Sequence, residues 1–95
     1  MKFINTTKEY KDTLSTYHSS KLWSDLEKTH ILAQPFLLSH YFVHMTMLQK
    51  ALQEKNFHEC LGQIFRLMLV LPGNLLNRLP KNNPGTARVS AFKSF

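Results

Sequence analysis

The sequence predicts an all-α fold: a small antiparallel bundle of about four helices followed by an irregular C-terminal arm. Three observations carry this expectation. Apolar residues recur at three- and four-residue intervals from Tyr10 to Leu71, no strand pair is evident, and Pro35 and Pro72-Gly73 punctuate the periodic stretches. At 95 residues the chain suits a single domain, 1–95, with a modest core that a metal or a dimer interface would usefully supplement.

The first helix falls within residues 1–18, where Tyr10, Leu14 and Tyr17 recur at i, i+4 and i+7. The hydroxyls of Ser19 and Ser20 then offer caps for a second helix over 21–34, with Leu22, Leu26, Thr29 and Ala33 on one side. Pro35 has no N–H to donate and disfavours helical angles at Gln34, yet it suits the first turn of a following helix. The third helix is therefore placed over 35–55, with Leu37, Tyr41, Leu48, Ala51 and Leu52 sharing a side.

Asn56, with Glu59 three residues later, resembles a capping box and opens a fourth helix over 56–72. Its stripe of Leu61, Ile64, Phe65, Met68 and Leu71 is expected to face the core, and Pro72-Gly73 to end it. Residues 73–95 are expected to be irregular. Asn74 is read as the cap of a short further turn, and Val89, Phe92 and Phe95 as anchors for an extended tail.

Twelve Lys and Arg against six Asp and Glu give a net charge of +6, which favours anionic partners by long-range attraction. The basic residues form no run of five, so they read mostly as a solvated surface, and nucleic-acid binding is a minor hypothesis. Cys60 has no second cysteine to pair with, and "MKFINTTKEYKD" lacks the apolar centre of a secretory signal. The most apolar run, Leu67 to Leu71, is five residues long where a spanning helix needs about 20. The expectation is a cytoplasmic protein without membrane insertion.

Chemistry concentrates in "LEKTHILAQPFLLSHYFVH", Leu26 to His44. Glu27 and His30 lie three apart on the second helix, and His40 and His44 lie four apart on the third, so each pair occupies one helix face. A chain reversal near Pro35 sets all four at similar heights along antiparallel axes. A single helix kinked at Pro35 would instead leave His30 and His40 about 15 Å apart along the axis. Three imidazoles and a carboxylate suit Zn²⁺, and they suit Fe²⁺, Mn²⁺, Co²⁺ or Ni²⁺ if water fills further positions. Gln34 and Tyr41 are candidates to orient a ligand from behind.

Two other readings stand beside this one. Buried histidines and Glu27 can form a hydrogen-bonded polar core, or a metal-free acid/base site. Elsewhere the signals are weaker. His58 and Cys60 diverge by about 200° on a helix and share no site, so Cys60 reads as a small buried residue. Trp23, Tyr41, Phe42 and Phe65 read as core aromatics. Neither a phosphate-binding glycine loop nor a nucleophile elbow is present in the sequence.

The blocks "LEKTHILAQ", "SHYFVH", "ECLGQIFRL" and "PGTARVSAFK", in that order, resemble a small bacterial family known as a domain of unknown function, number 3703 in its series. The resemblance covers about Trp23 to Lys93 and is most specific at Leu26, Glu27, His30, Leu32 and Gln34, then at His40 and His44. It departs at "VLPGNLLNRLPKNN". It implies that the histidine spacing is a family pattern, and it implies no activity. The function expected from the residues is a metal-binding helical protein, with zinc or iron held by Glu27, His30, His40 and His44 in a structural or metal-handling role. The alternative is a protein-interaction or homodimerisation module with a hydrogen-bonded histidine core.

Overall fold

The computed structural model describes residues 3–75 and 85–86. Its elements are four helices packed as an antiparallel bundle: α1 (Lys8–Ser20), α2 (Trp23–Ala33), α3 (Leu37–Gln53) and α4 (Phe57–Leu75). Consecutive helices pack on one another, which sets α3 between α2 and α4. The expected tail over 73–95 falls outside the described residues, apart from Gly73–Leu75, which are helical, and Gly85-Thr86.

α1 starts where Thr7 Oγ1 accepts the Tyr10 N–H, and ends where Lys21 takes a left-handed conformation and donates its N–H to the Tyr17 carbonyl. Tyr10 and Tyr17 are buried as their spacing predicts. They join Leu26 and Ala33 of α2 and Val43 and Met47 of α3 in the apolar core, flanked by Leu14, Trp23 and Leu32. Leu22, expected on the buried stripe of α2, is exposed, because it is the extended residue preceding that helix.

The hairpin between α2 and α3 exists, but its reversal is made at Phe36, which is extended, while Gln34 keeps helical angles despite the following proline. α3 therefore begins two residues later than expected, without a side-chain cap of its own. The N-terminal segment supplies the missing acceptor: the Phe3 carbonyl takes the N–H groups of Leu38 and Ser39 at 2.7 and 3.2 Å. Asn5 secures this join, its N–H donating to Ser39 Oγ and its Nδ2 to the Leu32 carbonyl. At the other end of the hairpin, Trp23 Nε1 donates to Glu54 Oε1, while Lys50 Nζ reaches both the Lys21 carbonyl and Glu54 Oε2. The two ends fix the heights of α2 and α3 relative to each other.

Two sequence expectations fail on α3 and α4. Tyr41, Phe42 and Leu52 are exposed, because α3 turns His40, Val43, His44, Met47 and Ala51 inward instead. The α4 stripe expected in the core is also exposed: Leu61, Ile64, Phe65, Met68 and Leu71 all face outward. The face of α4 turned to the bundle carries Glu59, Gln63, Arg66, Val70 and Asn74. α4 also continues through Pro72 to Leu75, which keeps Asn74 on that inward face. Cys60 is a buried free thiol, as expected.

Asn5 acts through hydrogen bonds that no apolar residue can replace. Asn5→Ala leaves the Leu32 carbonyl without this donor and removes the acceptor of the Thr7 N–H. It is expected to lower stability by about 1–3 kcal/mol, read as a lower urea midpoint at unchanged slope.

Candidate functional site

The inward faces of α2 and α3 meet at three histidines. His30, His40 and His44 are all buried, and their Nε2 atoms form a nearly equilateral triangle: 3.2 Å from His30 to His40, 3.0 Å from His30 to His44, and 3.0 Å from His40 to His44. The ring planes are tilted against one another by 49° to 71°, so the rings converge by their edges instead of stacking. Local sequence explains the convergence. His40 and His44 share a face at i and i+4, and the hairpin lowers His30 onto the space between them.

α4 supplies the polar groups behind two of the rings. Gln63 Nε2 donates to Glu59 Oε2 at 2.6 Å and to the Gly85 carbonyl at 2.8 Å, which leaves Gln63 Oε1 facing His44 Nδ1 at 2.6 Å. Asn74 Nδ2 likewise donates to the Gln34 carbonyl at 2.9 Å, and Asn74 Oδ1 faces His40 Nδ1 at 2.9 Å. An amide oxygen only accepts, so the network assigns the proton of each imidazole to Nδ1. The Nε2 lone pairs of His40 and His44 are thereby both aimed into the triangle.

Around this centre the network continues. Glu27 Oε2 accepts from Thr86 Oγ1 at 2.7 Å, and Arg66 donates to the carbonyls of Thr86 and Gly62. Gly85 lies close to the His30 ring: at its φ of +88°, a Cβ would sit 2.5 Å from His30 Cδ2, so glycine suits both the backbone angle and the close approach. Glu27 and Glu59, both buried, also line a cavity of about 410 Å³ together with Trp23, Ser24, Asn56 and Thr86.

Burial holds the His40 and His44 rings neutral. Desolvation lowers the His40 pKa, partly offset by its bond to Asn74. His44 is pushed down to about 3 by desolvation first, then by the neighbouring His40, with the Gln63 bond opposing and Arg66 adding to the shift. Arg66 is itself lowered by burial and supported by Glu59. Neutral imidazoles with inward lone pairs can coordinate a metal ion or accept hydrogen bonds.

The structure sorts the residues expected at this site. It brings His30, His40 and His44 together, with ligating atoms all within 4.8 Å of one another. Glu27 stands outside that cluster and is engaged by Thr86. Gln34 contributes through its carbonyl, which holds Asn74. Tyr41 is half-exposed and does not orient the site, because one residue along a helix rotates the side chain about 100° away from His40. Sequence reasoning missed Gln63 and Asn74. Their signal was a polar stripe, Glu59, Gln63, Arg66 and Asn74, at helical spacing opposite the apolar one. Gly85 and Thr86 lay in a turn-rich stretch and in the "PGTARVSAFK" block, but neither signal named their partners Gln63 and Glu27, which lie 22 and 59 residues away.

Fold and site together define a class: a small all-α bundle organised around a buried three-histidine cluster held by side-chain amides. The chain belongs to the family described as "Protein of unknown function (DUF3703)", which it matches over residues 1–95, including the stretch that departs from the motif blocks. Neither a curated protein nor a solved structure matches it.

The depressed histidine pKa values set a pH dependence. Below about 6.5 the unfolded chain takes up protons that the folded site refuses, so stability is full above that value and declines as pH falls towards 3. For His44 alone the slope is about 1.4 kcal/mol per pH unit, and the lowered pKa of His40 adds to it. Urea unfolding of chelator-treated protein at pH 7.5, 6 and 5 is expected to show this loss, and equal midpoints at all three would contradict it.

Proposed function

We propose that this protein binds a divalent transition-metal ion, zinc or iron, through His30, His40 and His44. One observation carries the reading: the lone pairs of His40 and His44 point at each other's nitrogen at 3.0 Å with both protons committed to the amides of α4. No hydrogen bond can form between two acceptors, and a single proton on His30 Nε2 could serve only one of them well. A cation at the common focus turns this repulsion into coordination.

The spacing supports that reading. With metal–nitrogen bonds of about 2.0–2.1 Å, tetrahedral ligands stand about 3.3–3.4 Å apart and ligands on one octahedral face about 2.8–3.0 Å apart. The observed 3.0 to 3.2 Å lies between the two. Three protein nitrogens leave at least one position open, whereas purely structural zinc is usually closed by four protein ligands. We therefore favour metal handling over a structural role. Two buried carboxylates, Glu27 and Glu59, against one buried guanidinium, Arg66, favour a cation in a chain of net charge +6, with Glu27 outside the three-histidine cluster.

Elemental analysis of protein purified without a histidine tag tests this directly. The expectation is about one equivalent of a transition metal per chain, lost in His44→Ala, with a rise in thermal midpoint on adding metal back to chelated protein. Gln63→Leu keeps the three ligands but frees the His44 tautomer, and should weaken affinity by about 10–100-fold. Less than about a tenth of an equivalent, with no thermal response to added zinc or iron, would favour the hydrogen-bonded polar core instead.

A further inference from the structure

We infer that the outward face of α4 is a homodimer interface, through which two copies of the chain pack α4 against α4. The inference is independent of metal binding. Phe57, Leu61, Ile64, Met68 and Leu71 follow one another at steps of four, three, four and three residues, the repeat of a coiled-coil seam. All five are at least 47% exposed, and Leu61 and Met68 reach 70% and 73%. Among the described helices α4 packs chiefly on α3, by the opposite, polar face, which also bonds to Gln34, Gly85 and Thr86.

The occupant follows from shape, area and charge. A seam repeating every 3.5 residues is complementary to another helix with the same repeat, and a second copy brings one. The five seam side chains alone expose on the order of 600 Å² of mostly apolar surface, at the top of the range for the largest patch of a typical monomer and about three-quarters of the roughly 800 Å² per partner of a stable interface. Two chains of net charge +6 repel at long range, but the strip from Phe57 to Leu71 turns no charge outward, because its only charged residues, Glu59 and Arg66, are buried against the bundle. The positions flanking the seam, His58, Cys60, Phe65 and Leu67, carry no Lys, Arg, Asp or Glu to repel their counterparts. A two-fold axis places each seam on its own copy, which closes the assembly at two chains.

Light scattering coupled to size exclusion, on the full chain at about 100 µM, reads the outcome. The expected mass is twice 11.1 kDa for the wild type and 11.1 kDa for Leu61→Glu/Met68→Glu, with helical circular dichroism retained because both side chains are exposed. Met68→Lys alone is expected to weaken the dimer if the double variant fails to fold. Tyr41→Glu, an exposed position on α3 outside the seam, is expected to leave it intact. A monomeric wild type overturns the inference, as would happen if another part of the chain covered the seam. So does a dimer that survives both the folded double variant and Met68→Lys, or a larger assembly.

Discussion

Two imidazole lone pairs held 3.0 Å apart inside a protein repel each other, and most of the arrangement around His40 and His44 is what keeps them there. Free to choose, one ring would place its proton on Nε2 and donate to the other. The amide oxygens of Gln63 and Asn74 remove that choice by accepting from Nδ1. Those amides are held in turn, Gln63 by Glu59 and the Gly85 carbonyl, and Asn74 by the Gln34 carbonyl. The site therefore depends on a chain of polar contacts that runs from α4 back to the end of α2.

This requirement accounts for the unusual orientation of α4. A helix that must present Glu59, Gln63, Arg66 and Asn74 to the bundle cannot also bury its apolar stripe there. The bundle consequently has two interiors. Between α1, α2 and α3 the core is apolar, built on Leu26, Ala33, Val43 and Met47, each with no exposed surface. Between α2, α3 and α4 it is polar and hydrogen-bonded. The apolar half carries the hydrophobic stabilisation, while the polar half positions nitrogen and oxygen atoms.

The α2–α3 hairpin joins the two halves, and it is tied at both ends. Phe3 and Asn5 hold the turn, and Trp23, Lys50 and Glu54 hold the opposite end. The lysine bond, followed by the tryptophan bond, keeps the Glu54 carboxyl below its ordinary pKa. With both ends held, a one-residue slip of α3, which would rotate His40 and His44 by about 100° away from His30, is opposed from two sides.

Local sequence determined the helices and the pairing of histidines on their faces, because both follow from short-range periodicity. Tyr10, Leu14 and Tyr17 mark α1, Asn56 caps α4 by accepting the Glu59 N–H, and the four-residue step from His40 to His44 aligns two imidazoles on one side of α3. Periodicity states that a helix has two unlike faces, but not which one turns inward. For α4 the apolar face was expected inside and the polar face lies there, since the choice is made by partners on α3 and at Gly85 that sequence distance conceals. The same limit separates Glu27, three residues from His30 yet outside the cluster, from Gln63, which lies 19 residues from His44 and touches its ring. Spacing along one helix places side chains on a face, and only the packing of several helices decides which atoms meet.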